Sequence, residues 1–468
     1  MPRRPFAFAA ALLVGAVACG GLAVVLGDHP SSAPATTAAA ATPVLSLRRT
    51  PLLLTDAVAD SRLQTTLDTI VNDPALAGAL QQSCLLVHDD RGRLLYSRNP
   101  TTPLVPASNL KLLAATTLLD RIGPEARLRT EVRGPQLAPG GVANGDLWLV
   151  GVGDPLLATA DFAAQASYNH TPRIATPLEA LADGLVQAGV RTVTGRVMGD
   201  ETRYDRQRAI PSWLPAYITD HQAGPISALT VNGGFASFRP PIVPAGQPAT
   251  FAAATLTMLL NARGVHVGGA PGEGTTPAAA QILSSVTSPT MHEIVGEMLK
   301  ESDNTTAEML VKELGARFNA EGSTAAGIAV IRDHLKSLGL PVDGLQQVDG
   351  SGLDRSDRAT CDLLIRVLDR SGPAGLLGRD LPVAGRDGTL KKRFAGTPAA
   401  GRIRAKTGSL TGVAGLSGWA RALRGRTLTF SLLADDLPRP SVGTGVEDRV
   451  VSALAQYPRA PDPATIKA

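Results

Sequence analysis

Two side chains near residue 110 have the types and the spacing that nucleophilic catalysis requires. Ser108 and Lys111 form the pattern Ser-x-x-Lys at the predicted start of a helix, where residues three apart share one face. The lysine amine can therefore reach the serine hydroxyl, and a partly desolvated lysine with a lowered pKa can take its proton. The alternative is an exposed serine and lysine on a surface helix, which this pattern alone does not exclude.

A second short pattern, Ser-x-Asn, occurs at residues 97–99, 167–169 and 302–304. The first lies at the end of a predicted strand and the second in an irregular loop. Only Ser302 and Asn304 interrupt a predicted pair of helices, where both side chains can point into a cleft. The alternative is a turn between helices in which the asparagine serves as a cap.

A third pattern, Lys-Thr-Gly-Ser, occurs once, at residues 406–409. A strand edge that carries Lys406 suits a substrate carboxylate, and Gly408 would let the backbone of a ligand approach closely. The alternative role of such a lysine is to protect an exposed edge strand from aggregation.

The elements predicted around these patterns would hold them in place. Two apolar runs within residues 84–98 predict a β-hairpin just before Ser108, and the leucines that follow recur at helical spacing. The further predicted elements are helices over 290–317 with a break at 302–304, a hairpin at 416–434 and a closing helix at 443–456.

Residues 126–285 differ from the rest of the chain in sequence pattern, because short β-like segments alternate there with many glycines and prolines. One helix is predicted there, with a capping box formed by Thr176 and Glu179. We therefore predict a catalytic domain in two parts, residues 51–125 and residues 286–468 with the C-terminal tail, separated by inserted β-rich domains.

The N-terminus indicates the compartment. Two arginines precede an uncharged run over residues 5–27, which is typical of an export signal and is just long enough for a membrane anchor. Residues 1–28 are therefore predicted to be a signal peptide or an anchor, with lipidation of Cys19 as a third alternative. Residues 29–50 predict a flexible linker, and the rest of the chain is expected outside the cytoplasm, secreted or membrane-anchored.

Composition excludes several classes of protein. The chain is 44% hydrophobic, which excludes a mostly disordered protein. A net charge of +4 from 45 basic and 41 acidic residues argues against a nucleic-acid partner. The seven histidines are scattered without a His-Glu-x-x-His pattern, and there is no Walker A or dinucleotide fingerprint. No metal and no other cofactor are predicted.

Only Cys84 and Cys361 lie outside the predicted signal. One pair of cysteines in an exported protein is a candidate disulfide. Cys84 opens a strand just before the helix of Ser108, and Cys361 opens a helical run, so both flank elements expected to meet around the site. We predict that they pair, with two unpaired buried thiols as the alternative.

In this order, the three patterns are the signature of penicillin-binding proteins and serine β-lactamases. The chain resembles class C low-molecular-mass penicillin-binding proteins, the D-alanyl-D-alanine carboxypeptidase/endopeptidases of peptidase family S13. The gap of about 190 residues between Ser108 and Ser302 matches the extra domains of that family. The matching stretches, spread over about residues 80–435, are Pro106-Ala-Ser-Asn-Leu-Lys111, Gly153-Asp-Pro155, Asp349-Gly-Ser-Gly-Leu353, Val383-Ala-Gly-Arg-Asp-Gly-Thr-Leu390 and Lys406-Thr-Gly-Ser-Leu-Thr411.

The sequence departs from the family at Asn232, which is followed by two glycines. Family members usually carry larger polar residues there, which puts a shared role of that loop in doubt.

The resemblance implies a mixed α/β (α+β-type) fold of the β-lactamase/transpeptidase kind, with an antiparallel sheet between helices and inserted β-rich domains. It also implies a serine carboxypeptidase or endopeptidase that cleaves peptidoglycan stem peptides through an acyl-enzyme on Ser108. The implied partners are peptidoglycan and β-lactam antibiotics as covalent inhibitors, while the cell membrane is the partner that the N-terminal segment predicts. The enzyme would face the cell wall.

Roles for individual residues follow from the same resemblance. Ser108 would be the acylated nucleophile, and Lys111 its general base or proton shuttle. Ser302 would relay a proton to the leaving D-Ala amine, while Asn304 would hold the peptide bond of the substrate.

The third pattern would bind the end of the substrate. Lys406 and Thr407 would hold its terminal carboxylate, beside Gly408. The backbone N–H groups of Ser108 and Ser409 would form the oxyanion hole.

Arg355, Leu410 and Thr411 follow two of the matching stretches directly, and we expect them to read the side chain of the substrate. The resemblance implies a pocket there for the free amine and carboxylate of a diaminopimelate residue, and arginine supplies a bidentate fork for a carboxylate. The alternative is that Arg355 pairs on the surface with Asp354 or Asp357.

Two other functions remain open at the level of sequence. A secreted serine β-lactamase uses the same three patterns, but the large insert and the lack of a recognisable deacylating glutamate loop after Lys111 argue against it. A non-catalytic wall-binding or β-lactam-sensing protein is the other alternative. The presence of Ser108, Lys111 and Lys406 argues against this second reading.

Overall fold

The computed structural model describes residues 50–459, apart from Ala77 and residues 165–172. The predicted signal or anchor, nearly all of the predicted linker, the Ser-x-Asn pattern at 167–169 and the last nine residues lie outside the described residues. The chain divides into a unit Met1–Leu53 and a unit Leu54–Ala468, and the features below belong to the second. No helix among the described residues combines the length and the apolar character needed to cross a bilayer.

The helices in chain order are α1 Thr50–Val71, α2 Lys111–Arg121, α3 Ala160–Ala163, α4 Glu179–Gln187, α5 Ala216–Thr219, α6 Pro248–Asn261, α7 Met291–Glu301, α8 Asn304–Phe318, α9 Thr324–Ser337, α10 Cys361–Ser371, α11 Leu376–Asp380 and α12 Pro440–Ala455. Short 3-10 helices lie at Pro74–Leu76, Ala107–Leu110, Asn232–Gly234, Gly388–Leu390 and Leu423–Gly425.

The strands in chain order are β1 Ser83–Asp89, β2 Leu94–Arg98, β3 Arg129–Gly134, β4 Leu137–Ala138, β5 Val142–Ala143, β6 Leu147–Val150, β7 Leu157–Ala158, β8 Thr176–Pro177, β9 Thr192–Val193, β10 Val197–Asp200, β11 Phe235–Ser237, β12 Val243–Pro244, β13 His266–Val267, β14 Gly272–Glu273, β15 Gln281–Thr287, β16 Ile403–Leu410, β17 Val413–Arg421 and β18 Thr427–Ala434.

A central antiparallel sheet, in the order β16-β17-β18-β1-β2, lies between two layers of helices. Successive residues of a strand face opposite sides of a sheet. Leu85 and Leu432 accordingly face a core shared with α1 and α12, whereas Leu86 and Leu433 face a core shared with α2 and α7 to α10. The expected sheet between helices and both predicted hairpins are therefore confirmed.

The segment between α2 and α7 builds a separate core. Two sheets, β14-β10-β6-β3-β15 and β13-β9-β5-β4, contain parallel and antiparallel pairs and pack with α4 and α6 around apolar residues such as Leu149 and Leu256. Strands and helices alternate in this segment, so it is less uniformly β than its sequence indicates. The domain boundaries at 126 and 285 stay a prediction.

The predicted start of α4 is wrong. Thr176 and Pro177 do not begin the helix but form β8, which pairs with β7. The helix begins at Glu179, and the side chain of its N-cap residue, Leu178, forms no capping hydrogen bond. The Glu179 carboxylate instead accepts a hydrogen bond from the backbone N–H of Ala160. A tertiary strand pairing thus overrides a local capping pattern.

A second part of the insert packs against the helical layer near the central sheet. Trp213 and Tyr217 share a small apolar cluster with Met309 of α8 and with Leu353. The Tyr204 hydroxyl also donates to the carboxylate of Glu313 on α8 at 3.0 Å. The insert therefore contacts the helix that follows Ser302, which bears on the geometry of the site.

Cys84 and Cys361 form a disulfide in this structure. Cys84 lies in β1 and Cys361 is the first residue of α10, and both are fully buried. The bond ties the central sheet to the helical layer across a sequence separation of 277 residues. Cross-linking so distant a pair removes much conformational freedom from the unfolded chain.

We expect thiol titration of the unfolded, unreduced protein to detect neither of these cysteines. The double variant Cys84→Ala/Cys361→Ala should unfold with a free energy lower by about 3–5 kcal/mol, because its unfolded state is less restricted. Detection of both thiols in the untreated protein, or an unchanged stability of the double variant, would contradict the disulfide.

Candidate active site

Ser108 lies in a single turn of 3-10 helix that leads into α2. The preceding residue, Ala107, has a positive φ of 45°, which is uncommon for a residue other than glycine. Gly352 lies directly against this turn, because a Cβ at Gly352 would come within 1.9 Å of the Ala107 carbonyl oxygen. The loop that contains Gly352 therefore braces the serine from one side.

The amine of Lys111 is fully buried one turn further on. Its Nζ donates to Ser108 Oγ at 3.0 Å, to Asn304 Oδ1 at 2.7 Å and to the Ser351 carbonyl at 2.7 Å. These contacts satisfy the three donors of an ammonium. The predicted pairing of Ser108 and Lys111 is thus present, and Lys111 also connects Ser108 to the second pattern.

Burial lowers the pKa of Lys111 from its usual range to about 8. Desolvation is the largest cause, since removing an ammonium from water disfavours the charged form. Nearby carboxylates oppose this effect; in decreasing order they are Asp349, Glu308, Asp303 and Asp357. A substantial fraction of Lys111 is therefore neutral near physiological pH and can accept a proton.

The second pattern forms the predicted break between two helices. A capping box of Thr290 and Glu293 starts α7, and the helix ends at Ser302, which has the left-handed φ of 59°. Asp303 then caps α8, because its carboxylate accepts from the backbone N–H of Thr306. The C-cap of α7 at Ser302 and the N-cap of α8 at Asp303 fix the turn. Asn304 thereby contacts Lys111, and Ser302 contacts Lys406.

Lys406 approaches Ser302 from β16. Its Nζ donates to Ser302 Oγ at 2.8 Å and to the Thr407 carbonyl at 2.8 Å. The side chain is fully buried, and its pKa lies well below the usual range, first because of burial and then because of the charge of Lys111. The site thus holds two buried lysine amines, each within hydrogen-bond distance of one serine hydroxyl.

Gly408 has a packing role that was not predicted from the sequence. A Cβ there would lie 2.6 Å from Asn109 Nδ2 and 2.7 Å from the Pro106 carbonyl oxygen. The missing side chain therefore makes room for the turn that carries Ser108. In the same strand Thr407 Oγ1 donates to Thr389 Oγ1 at 2.9 Å, and Ser409 is exposed.

Arg355, Leu410 and Thr411 lie beside this strand end, as predicted. Arg355 is exposed, and its Nη1 donates to the Thr411 carbonyl at 2.7 Å. Leu410 is half-buried and is the last residue of β16. Within the described residues Arg355 forms no ion pair with Asp354 or Asp357, so the predicted alternative is absent here.

Two buried carboxylates beneath Lys111 were not predicted as part of the site. Glu308 accepts hydrogen bonds from the backbone N–H groups of Gly350 and Ser351, and so holds the loop whose carbonyl contacts Lys111. Burial, and next the charge of Asp349, raise the pKa of Glu308 to about 8. The available signal was its position four residues after Asn304, on the same helical face.

Asp349 holds the same loop from the other side. Its carboxylate accepts from the backbone N–H groups of Gly352 at 2.6 Å and Asp354 at 2.8 Å, and from the indole of Trp213 at 2.8 Å. The sequence contained this residue in a matching stretch but did not indicate its contacts. Its partner Trp213 comes from the insert, which the sequence placed in another domain.

The insert also reaches the site through residues 222–224, which the sequence analysis did not single out. The Gln222 carbonyl accepts from Asn304 Nδ2 at 2.7 Å, and the backbone N–H of Gly224 donates to Thr305 Oγ1 at 2.8 Å. Together with the contacts of Lys111 and Lys406, these contacts hold a serine hydroxyl beside a buried amine that can take its proton. Such an arrangement suits acyl transfer through Ser108.

The chain is similar to known proteins over most of its length. The model of the D-Ala-D-Ala carboxypeptidase 3 (S13) family matches residues 63–240 and 239–457. The chain is 31% identical to a D-alanyl-D-alanine carboxypeptidase of Actinomadura sp. (strain R39), covering 85% of each protein. It is also 31% identical to Carboxypeptidase DacB of Mycolicibacterium smegmatis, over 77% of this chain and 79% of that protein.

A solved structure has a similar fold. The structure of penicillin binding protein 4 (dacB) from Haemophilus influenzae superposes with a TM-score of 0.70 at 19% identity. The match covers 83% of this chain and 99% of that one. The insert, as well as the central sheet, therefore falls within the shared architecture.

We expect Gly408→Ala to lower the melting temperature by several degrees, because the added methyl group meets Pro106 and Asn109 and must push the Ser108 turn away from β16. Overpacking of this kind costs about 1–3 kcal/mol. Gly246→Ala is the matched control, since a Cβ there meets no atom within 4 Å. Equal thermal unfolding of the two variants would show that β16 and the turn are not in this close contact.

Proposed function

Because this chain belongs to the S13 family of D-Ala-D-Ala carboxypeptidases, we propose that it is a serine peptidase of peptidoglycan. It cleaves D-Ala-D-Ala stem peptides as a carboxypeptidase or endopeptidase, through an acyl-enzyme on Ser108. The observation that carries this function is the contact of 3.0 Å between Lys111 Nζ and Ser108 Oγ. That lysine is fully buried, with a pKa of about 8.

In the acylation step Ser108 Oγ attacks the carbonyl carbon between the two D-alanines, and Lys111 takes the hydroxyl proton. The oxyanion that forms accepts hydrogen bonds from the backbone N–H groups of Ser108 and Ser409. As the C–N bond breaks, the Ser302 hydroxyl gives its proton to the departing amine and is reprotonated from the lysines. Water then attacks the ester carbonyl while Lys111 takes one of its protons, and that proton passes to Ser108 Oγ as the acyl–oxygen bond breaks.

Lys406 and Thr407 bind the terminal carboxylate of the substrate. In the free protein the pKa of Lys406 is low because burial and the nearby Lys111 disfavour its charge. An incoming carboxylate favours the ammonium form and offsets that cost. Substrate binding thus charges Lys406 at the moment when Ser302, 2.8 Å away, must supply a proton.

Arg355, with Leu410 and Thr411, reads the third residue of the stem peptide. Its guanidinium is exposed and is anchored on the Thr411 carbonyl through Nη1. The donors that remain can accept a carboxylate at the far end of a diaminopimelate side chain. Specificity at this position therefore comes from the surface beside β16 and not from the buried lysines.

The N-terminal segment directs the enzyme to its substrate. The uncharged run over residues 5–27 acts as a signal peptide or as a membrane anchor, and the linker that follows gives the enzyme reach. Peptidoglycan lies outside the cytoplasmic membrane, so the proposed activity requires this export.

We expect benzylpenicillin to form a stable covalent adduct on Ser108, because its ring carbonyl takes the place of the peptide carbonyl. Mass spectrometry of a digest should locate the adduct, which Ser108→Ala should abolish and the control Ser97→Ala should retain. An adduct that persists in Ser108→Ala contradicts the assignment. Rapid release of hydrolysed penicillin would indicate a β-lactamase, and no reaction at all a non-catalytic protein.

The acylation rate should rise about tenfold per pH unit below pH 8 and level off above it, because only neutral Lys111 accepts the proton. Lys111→Arg should abolish acylation, since a guanidinium does not deprotonate. Lys336→Arg, on the exposed face of α9, is the control and should leave the stopped-flow profile unchanged. An active Lys111→Arg variant would contradict the role of Lys111 as base.

Arg355→Ala should lower kcat/KM for peptides with a free diaminopimelate end by about tenfold or more, while acylation by benzylpenicillin hardly changes. The difference arises because only the peptide carries the distal carboxylate. Arg91→Ala, in the turn between β1 and β2, is the control. Equal losses with both compounds, or no loss with either, would assign Arg355 a purely structural role.

A further inference from the structure

The side-chain amide of Asn304 has two partners that determine its orientation. Oδ1 accepts from Lys111 Nζ and Nδ2 donates to the Gln222 carbonyl, each at 2.7 Å. A carbonyl oxygen can only accept a hydrogen bond. The contact with Gln222 therefore fixes the end of the amide that faces Lys111, whatever the protonation state of the lysine.

The Gln222 carbonyl is itself held in place by several contacts. The Gln222 N–H donates to the Tyr217 carbonyl at 2.8 Å. Two residues later, the Gly224 N–H donates at 2.8 Å to Oγ1 of Thr305, a buried residue that follows Asn304 in the first turn of α8. Gly224 also fits closely against Gly233, because a Cβ would come within 2.1 Å of the Gly233 carbonyl oxygen.

We propose that residues 222–224 of the insert are a positioning element for the general base. The Gln222 carbonyl keeps the amide oxygen of Asn304 turned towards Lys111, and Thr305 is the positioning residue that anchors the segment to α8. This inference rests on the proposed function, in which Lys111 takes the proton of Ser108.

The orientation matters because a neutral lysine has a single lone pair. A reversed Asn304 amide would donate an N–H to that lone pair, and the proton of Ser108 would then find no acceptor on Lys111. The Gln222 carbonyl disfavours the reversed state, since two oxygens would face each other without a proton between them. The second N–H on Asn304 Nδ2 also stays available for the peptide bond of the substrate.

The test compares Thr305→Val with Thr305→Ser in the full chain. Valine keeps the shape of threonine but removes the acceptor for Gly224, whereas serine retains that acceptor. We measure the rate of benzylpenicillin acylation at pH values on both sides of 8, together with thermal unfolding. In Thr305→Val the plateau rate should fall by about tenfold, and the apparent pKa of the profile should decrease. Thr305→Ser should keep the plateau rate and the apparent pKa of the unaltered protein.

The shift of the apparent pKa distinguishes positioning from a loss of stability. The titratable groups around Lys111 are the same in every variant; they are Asp303, Glu308, Asp349, Asp357 and Lys406. A reversed amide stabilises the neutral amine by donating to it and gives up an acceptor of the ammonium, so it lowers the pKa. A merely destabilised protein would unfold earlier with an unchanged profile.

A second pair of variants keeps the test decisive if Thr305→Val does not fold. Gly224→Ala places a methyl group against the Gly233 carbonyl and should displace residues 222–224, with the same loss of rate and shift of the profile. Gly246→Ala is its control, since nothing lies within 4 Å of its Cβ.

Three results would overturn the inference. Either Thr305→Val or Gly224→Ala retains the rate and profile of the unaltered protein, or Thr305→Ser loses as much as Thr305→Val. If the unaltered protein is not acylated on Ser108, the proposed function and this inference both fail. If it is acylated normally and the variants behave like it, only the inference fails.

Discussion

The burial of two lysine amines in one cleft is the constraint on which the rest of this structure depends. Lys111 and Lys406 are both fully buried; desolvation lowers the pKa of each, and the charge of Lys111 lowers that of Lys406 further, so charging both amines at once is disfavoured. Two like charges so placed would repel each other strongly in a medium of low dielectric constant. The arrangement is stable because each amine donates to neutral oxygens, which are serine hydroxyls, an amide and backbone carbonyls.

The surrounding elements can be understood as the supports of those oxygens. The turn of Ser108 is wedged between Gly352 and Gly408, where a side chain at either position would collide with its backbone. Glu308 holds the loop whose Ser351 carbonyl contacts Lys111. The caps at both ends of the short break between α7 and α8 place Ser302 opposite the strand that carries Lys406.

The insert is part of the site and not a remote attachment. Its Trp213 indole contacts Asp349, and its Gln222 carbonyl contacts the amide of Asn304. The long segment between α2 and α7 thus contributes an indole and a main-chain carbonyl to the site. This is consistent with the extent of the family match, which includes the insert as well as the central sheet.

The sequence by itself singled out Ser108, the two lysines and the break between the helices, because those features depend on residue type and on spacing within one element. It also indicated the hairpins, since two apolar runs joined by a turn are a local pattern. Only the tertiary structure decided that β8 replaces the predicted cap at Thr176, that Gly408 accommodates the turn of Ser108, and that Gln222 contacts Asn304. These depend on segments far apart in the chain, and no local pattern encodes which backbone groups will meet.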